Sequence, residues 1–263
     1  MATAVESFTE QTIEVAGRNV RLLQGGTGDP VVVLHHSTGN PGWLPFFEQL
    51  AGKYAVTVPD MPGYGQSERP PWARDARDLG ILLHHTLDKL GLERVTLVGL
   101  GFGGYVAAEM AAMNQHRLKA LVLIGAAGLQ PDEGEILDQM LIDFPDYVRA
   151  GFRDDTAFEQ VFGAEPEQPI KELWDLSREM TARLTWKPYM FSRRLAPSLS
   201  EVQTPTLITW GTQDRVVPPV CAQQYARALP NSRVELIEGA GHLVEYEEPE
   251  KVAELIAGHV SKQ

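Results

Sequence analysis

Short apolar runs alternate along the chain with segments that have the apolar spacing of helices. The runs are rich in Val, Leu and Ile, as strands buried on both faces of a sheet require. They are residues 31–34, 55–58, 95–98, 118–124, 206–210 and 233–237, and predicted helices lie between them at residues 43–50, 75–90 and 220–228 and from Pro249 onward. Because strands and helices alternate, the pattern predicts an α/β fold with a mostly parallel, doubly wound sheet.

Two segments depart from this alternation. Near the start, residues 12–15 and 20–23 flank a short polar, glycine-containing turn and predict an antiparallel hairpin. Residues 130–200 have no convincing strand pattern, but they contain several prolines, many aromatic residues, and helical spacing at residues 136–141 and 173–180. We therefore predict a core formed by residues 1–129 and 201–263, with residues 130–200 inserted as a helical cap.

Charge and composition narrow the range of partners. The formal net charge of −12 disfavours nucleic acid and anionic membranes. No run of about 18 apolar residues predicts a membrane span, and residues 1–10 carry acidic side chains without the apolar run of a signal peptide. The single Cys221 cannot form an internal disulfide, which fits a reducing compartment. We expect a cytoplasmic protein without membrane partners, and the oligomeric state is left open.

A glycine-crowded turn at residues 99–104 follows the strand at residues 95–98, and two motifs compete for it. Gly99, Gly101 and Gly104 match the dinucleotide fingerprint G-x-G-x-x-G, which brings a pyrophosphate close to a helix N-terminus. That motif requires an acidic residue about 20 positions further on, whereas the next strand ends in Gly125 without one. The second motif is the nucleophile elbow, G-x-S-x-G, with Gly99 and Gly103 in the glycine positions. Gly101 then stands where the serine belongs.

Two further residues fit an acid–base pair. Asp214 follows the predicted strand at residues 206–210, where a carboxylate can orient a histidine. His242 follows a Gly-Ala-Gly turn after the strand at residues 233–237, where an imidazole can act as a general base. Taken alone, each has a structural alternative, a solvated turn for Asp214 and a helix cap for His242. The pair Glu247-Glu248 is typical of a solvated face.

In order along the chain, five separated motifs resemble those of the α/β-hydrolase superfamily with a helical cap. They are the loop after residues 31–34, the Asp60-Pro62-Gly63-Gly65-Ser67 loop, the elbow, the Trp210-Gly211-Asp214-Pro218 segment and Gly241-His242. The resemblance covers nearly the whole chain and implies a catalytic pair of Asp214 and His242. It also implies an oxyanion hole formed by the backbone N–H groups of Phe102 and Ser37. The sequence departs from the pattern at His36, where a glycine is usual, and at Gly101.

Three interpretations of this combination remain open. In the first, an enzyme without a serine nucleophile lets His242 activate water, or abstract a proton, on an ester, a lactone or a C–C bond next to a carbonyl. In the second, Gly101 marks a deliberate Ser→Gly inactivation of an ordinary serine hydrolase. In the third, the protein binds a small carbonyl compound without turnover, although binding alone requires neither Asp214 nor His242.

The candidate substrate is a small, mainly apolar molecule held between the cap and the core, because the cap is rich in aromatic residues. Candidate substrate-binding residues are His36, Trp43 and Trp186. The histidines and Cys221 lack the spacing of metal ligands, so we expect no metal. We also expect no organic cofactor.

Overall fold

The computed structural model describes residues 8–263, which form one eight-stranded sheet flanked by helices. Its strands are β1 (Phe8–Val15), β2 (Arg18–Gly25), β3 (Pro30–Leu34), β4 (Ala55–Pro59), β5 (Val95–Leu100), β6 (Leu118–Ile124), β7 (Thr206–Gly211) and β8 (Ser232–Ile237). They lie in the order β1-β2-β4-β3-β5-β6-β7-β8. The hairpin of β1 and β2 is antiparallel and β2 joins β4 antiparallel, whereas all pairs from β4 to β8 are parallel. The predicted mostly parallel sheet and its N-terminal hairpin are confirmed.

Helices cover both faces of the sheet. They are α1 (Pro45–Ala51), α2 (Ala76–Lys89), α3 (Phe102–Asn114), α4 (Phe144–Ala150), α5 (Asp155–Phe162), α6 (Gln168–Thr185), α7 (Leu195–Leu199), α8 (Val220–Ala228), α9 (Val244–Glu247) and α10 (Pro249–Val260). Successive residues of one strand point to opposite faces: Val31 and Val33 pack into the core beneath α1 and α10, and Val32 into the core beneath α2, α3 and α8. The sheet is therefore doubly wound, as predicted.

The segment between β6 and β7 contains α4, α5, α6 and α7. The helix predicted around residues 173–180 is present within α6, but the one predicted at residues 136–141 is wrong, because these residues are irregular. The N–H of Leu137 donates to the carbonyl of Val216 at 2.8 Å, and the hydroxyl of Tyr189 donates to the carbonyl of Leu137 at 3.1 Å. These tertiary hydrogen bonds replace the helical ones. The division into core and cap stays a prediction.

Close packing explains the crowded glycines where α3 meets the sheet. A Cβ on Gly99 would lie 2.5 Å from both the carbonyl oxygen of Gly103 and the Cα of Gly104, and a Cβ on Gly103 would lie 2.3 Å from the carbonyl oxygen of Leu34. The glycines let the first turn of α3 approach β5 and β3 at a distance that no side chain permits. This role requires no bound phosphate.

Among residues 8–263, no helix combines the length and the apolarity needed to cross a membrane. The expectation that residues 1–10 are not a signal peptide falls largely outside the described part of the chain.

We expect Gly103→Ala to lower the free energy of unfolding by about 1–3 kcal/mol, because the added methyl group meets backbone atoms that cannot move aside alone. Gly258→Ala is the matched control, since a Cβ there meets nothing within 4 Å. In the exposed interior of α10, that change should stabilise by about 0.5–1 kcal/mol. Urea unfolding measures both, and equal effects of the two substitutions would contradict the close packing of α3.

Candidate active site

Gly101 lies at the turn between β5 and α3, at the carboxyl edge of the sheet. Its backbone has φ 52° and ψ −111°, a left-handed conformation in which a residue with a side chain is strained by about 1–3 kcal/mol. The N–H of Gly101 donates to the carbonyl of Ile124 at 2.9 Å, and its carbonyl accepts from the N–H groups of Gly104 and Ala127. The turn is therefore tied to both α3 and the segment after β6.

Asp214 and His242 meet beside this turn. Asp214 follows β7, His242 follows β8, and His242 Nδ1 lies 2.8 Å from Asp214 Oδ2. The other oxygen, Oδ1, accepts from the N–H groups of Val216 and Val217 at 2.8 Å each. These bonds hold the carboxylate as an acceptor, so Nδ1 of His242 carries the proton and Nε2 is free to accept one.

A second histidine–carboxylate pair lies next to the first. His36 Nε2 is 3.0 Å from Glu245 Oε1, an ion-pair distance although the contact is not aligned as a hydrogen bond. Both side chains are buried. The rings of His36 and His242 meet edge to face, with centroids 4.9 Å apart. A Cβ built on Gly101 would lie 2.3 Å from His36 Nδ1 and 2.9 Å from His242 Nε2. The two imidazoles therefore converge on the place where a side chain of residue 101 would begin.

His35 supports the loop that carries His36. The N–H of Met61 donates to His35 Nε2 at 2.9 Å, so the ring proton lies on Nδ1, which donates to the carbonyl of His36 at 2.7 Å. Complete burial lowers the pKa of His35, which favours the neutral ring. Its role in the structure is to fix the loop rather than to face the site.

Helices α4 and α6 close the site from above. Ser37 Oγ lies 3.1 Å from Tyr147 Oη, and the hydroxyl of Thr181 donates to the carbonyl of Ser37 at 3.3 Å. Burial raises the pKa of Tyr147 to about 12, so this hydroxyl keeps its proton. A cavity of about 10 Å³ remains next to His36, Ser37, Tyr147 and His242, which is room for about one water molecule.

The backbone N–H groups of Phe102 and Ser37 are the oxyanion donors that the resemblance implies. Phe102 is the first residue of α3, and Ser37 lies in the loop after β3. Within residues 8–263, neither N–H has a hydrogen-bond acceptor. The N-terminal end of α3 adds the positive end of the helix dipole at Phe102.

Trp43 and Trp186 lie away from this cavity. Trp43 stacks on Phe8 with ring centroids 5.1 Å apart, and its indole N–H donates to Glu48 at 2.7 Å. Trp186 is 72% exposed and lines a separate cleft of about 970 Å³, together with Arg183 and Arg194. Of the three candidate substrate-binding residues, only His36 lines the cavity beside His242.

Two acidic residues of α9 contact the site, although the sequence predicts no such role for either. Glu245 pairs with His36, and Glu247, expected on a solvated face, accepts from the N–H groups of Gly241 and Arg153 at 2.6 Å each. Burial raises the pKa of Glu247. The expectation of a solvated Glu247 is wrong, because its carboxylate folds back onto the turn that carries His242. In the sequence, their closeness to His242 is the one feature that could have indicated this contact.

We expect His35→Gln to lower the free energy of unfolding by about 1–3 kcal/mol at pH 8, because buried groups at Met61 and His36 lose their partners. The unfolded histidine titrates near pH 6.5, and the folded pKa lies below that value. The stability contributed by neutral His35 is therefore present above about pH 6.5 and is lost as the pH falls towards the folded pKa.

The cost of His35→Gln should accordingly be smaller at pH 5.5 than at pH 8 when measured by urea unfolding. His85→Gln, at a histidine on the exposed surface of α2, is the control and should cost little at either pH. An equal cost of His35→Gln at both pH values would contradict the buried neutral ring.

Comparison with known proteins shows which family the sequence matches. Residues 31–255 match the sequence model of the Alpha/beta hydrolase family. A 2-hydroxy-6-oxononadienedioate/2-hydroxy-6-oxononatrienedioate hydrolase from Pseudomonas putida is 30% identical over 257 residues, which cover 88% of this chain and 87% of the relative. A 2-hydroxy-6-oxo-2,4-heptadienoate hydrolase from Pseudomonas putida is 27% identical over 263 residues and covers 94% of each chain.

Solved structures agree with this result at the level of the fold. The crystal structure of a meta-cleavage product hydrolase superposes with a TM-score of 0.78 at 21% identity, and the match covers 96% of this chain and 98% of the other. The eight-stranded sheet, the sequence match and the 30% identical relative lead to one conclusion. The chain belongs to the alpha/beta hydrolase family.

Proposed function

We propose that the protein hydrolyses a small, mainly apolar carbonyl compound by direct attack of water, without a covalent serine intermediate. The bond cleaved is an ester bond or a C–C bond next to the carbonyl. The observation that carries the proposal is the buried Asp214–His242 pair, whose Nε2 faces the side-chain position of Gly101 at 2.9 Å. In this proposal the turn at Gly101 is a nucleophile elbow that lacks its nucleophile.

The reaction then requires one base and one anion site. Nε2 of His242 takes a proton from water as the water oxygen attacks the carbonyl carbon, and Asp214 stabilises the imidazolium that forms. The N–H groups of Phe102 and Ser37 hold the developing oxyanion, a role for which each donor contributes about 2.7–4 kcal/mol in comparable sites. Collapse of the tetrahedral intermediate releases a carboxylic acid and the protonated leaving group.

The relatives support a substrate of this class. Both Pseudomonas putida relatives are named as hydrolases of 2-hydroxy-6-oxo dienoic or trienoic acids. In these compounds, carbon 6 of the unsaturated chain is the carbon of a ketone. Cleavage next to that ketone needs water and proton transfers but no metal or organic cofactor. These are the resources that Asp214, His242 and the two N–H groups supply.

The closed cavity implies a conformational step. A space of about 10 Å³ admits water but no organic substrate. Tyr147, Val148 and Gly151 form its wall on the side of α4, so substrate access requires displacement of α4 and the segment that carries it. Closure afterwards keeps bulk water from the reacting carbonyl.

The position of His36 favours this proposal over an inactivated serine hydrolase. A serine at residue 101 would place its Cβ 2.3 Å from His36 Nδ1, so a glycine at residue 101 and a histidine at residue 36 suit each other. A purely binding protein would have no use for a carboxylate that orients the imidazole of His242. The retained pair therefore favours catalysis over binding alone.

We expect His242→Ala to lower kcat/KM by on the order of 10²–10⁴-fold, because the general base is lost. Asp214→Asn should also cause a large loss, because the amide favours the wrong tautomer of His242. The measurement follows the absorbance of 2-hydroxy-6-oxo-2,4-heptadienoate as it is cleaved. His85→Ala, far from the site on α2, is the control and should retain full activity.

Unchanged kcat/KM in both His242→Ala and Asp214→Asn would place catalysis at another site. Absence of turnover of this dienoate and of p-nitrophenyl esters by the wild-type protein would favour the binding interpretation.

A further inference from the structure

We infer that His36, paired with Glu245, is a second catalytic residue that occupies the place of the missing nucleophile and transfers a proton to the leaving group. The inference deepens the proposed function and rests on it. It assigns to this site two histidine–carboxylate pairs, one for each proton transfer of the hydrolysis.

His36 fills the space that a side chain of residue 101 would need. Its Nδ1 lies 2.3 Å from the Cβ position of residue 101, closer than any two such atoms can remain, while His242 Nε2 lies 2.9 Å from the same point. His36 is about 4% exposed and packs edge to face on His242, so the ring has little room to move aside. The site has therefore exchanged a side chain at residue 101 for an imidazole from the loop after β3.

The two histidine–carboxylate pairs have matching orientations. In each pair, one ring nitrogen faces a buried carboxylate: His242 Nδ1 faces Asp214 at 2.8 Å, and His36 Nε2 faces Glu245 at 3.0 Å. The other nitrogen of each ring faces the position above Gly101. Two imidazoles oriented in this way can act on one bound molecule as base and acid.

The pair of His36 and Glu245 has buried polar atoms without hydrogen-bond partners. Within residues 8–263, His36 Nδ1 and both oxygens of Glu245 have no hydrogen-bond partner. A buried carboxylate without hydrogen bonds is costly unless it is paired with a charge. His36 supplies that charge only when it is protonated, and protonated His36 presents an N–H at Nδ1 to the cavity.

Several titratable groups face His36 and Glu245. His35 adjoins it in the same loop, His242 with Asp214 packs against its ring, and Tyr147 lines the same cavity from α4. On the side of α9, Glu245 lies close to Tyr246 and Glu247.

The proposed step balances without any further reactant. The water oxygen forms a bond to the carbonyl carbon, and one water proton passes to His242 Nε2. In a 2-hydroxy-6-oxo dienoate, the proton of the 2-hydroxyl first moves to C5, so that the bond from C6 to C5 breaks with its electron pair delocalised as a dienolate. The 2-oxygen of this dienolate takes the proton on His36 Nδ1. In an ester, the leaving oxygen takes its electron pair and the proton on His36 Nδ1. The products are the carboxylic acid and the protonated leaving group. Transfer of the proton from His242 to His36, directly or through water, restores both rings.

The first experiment measures the pH profile of kcat/KM on 2-hydroxy-6-oxo-2,4-heptadienoate. The wild-type profile should be bell-shaped, with an acidic limb from the base and an alkaline limb from the acid. His36→Asn should lower kcat/KM by on the order of 10²-fold and remove the alkaline limb. Glu245→Gln should move that limb to lower pH, because a neutral amide no longer stabilises the protonated ring.

A second experiment tests the position of His36 and does not depend on the native reaction. Diisopropyl fluorophosphate forms a bond from phosphorus to an activated serine Oγ and releases fluoride. The double variant with Gly101→Ser and His36→Gly should gain this adduct by intact mass. Gly101→Ser alone should not, because His36 occupies the space of the new side chain, and His36→Gly alone is the control without a nucleophile.

The outcomes separate the two proposals. A lack of turnover of both the dienoate and p-nitrophenyl esters by the wild-type protein contradicts the proposed function, whereas labelling still decides whether His36 fills the nucleophile position. The claim that His36 fills the nucleophile position is overturned if Gly101→Ser alone is labelled as fast as the double variant. It is also overturned if neither Gly101→Ser nor the double variant is labelled. The acid role of His36 is overturned if folded His36→Asn keeps the alkaline limb and a kcat/KM near the wild-type value. If His36→Asn does not fold, an alkaline limb that stays in place in Glu245→Gln overturns the same role.

Discussion

The crowded turn at Gly101 is the constraint on which the rest of the site depends. The first turn of α3 fits against β5 and β3 because Gly99 and Gly103 have no side chains to interfere, and Gly101 adopts the left-handed backbone of the turn. Two imidazoles, from the loops after β3 and β8, converge above this turn. The space above Gly101 is shared by His36 and His242.

Carboxylates next to the site accept hydrogen bonds from backbone N–H groups of the surrounding loops. Asp214 accepts three hydrogen bonds, and Glu247 ties down the turn before His242 through two backbone N–H groups. Glu245 is different, because within residues 8–263 its ion-pair contact is with the ring of His36 and neither of its oxygens accepts a hydrogen bond. A buried carboxylate without hydrogen bonds costs stability, and the acid role that we propose for His36 would be a reason for that cost to persist.

Much of the fold could be predicted because a buried strand has a recognisable local sequence, a short run of apolar residues. Val31, Val32 and Val33 alternate between two cores, so their apolar run indicates a strand covered on both faces. Asp214 and His242 could be brought together in advance because the carboxyl ends of parallel strands share one edge. Their meeting at 2.8 Å follows from that topology.

The remaining features depend on tertiary contacts that local patterns do not encode. The helical spacing at residues 136–141 gives way to hydrogen bonds with Val216 and Tyr189. The doublet His35-His36 does not reveal which ring faces Met61 and which faces Glu245, because neighbouring side chains in a loop can exchange these roles. Trp186 is apolar and lies at the end of a helix, yet its side chain is exposed and lines another cleft.

Intact-mass spectrometry of the wild-type protein, quenched in acid during turnover of 2-hydroxy-6-oxo-2,4-heptadienoate, tests the central claim most directly. If water attacks the carbonyl under the control of His242, the protein keeps its unmodified mass at every time point while the carboxylic acid accumulates. A transient increase in protein mass equal to the acyl part of the substrate would contradict the claim, because it would reveal a covalent intermediate on a residue of this site.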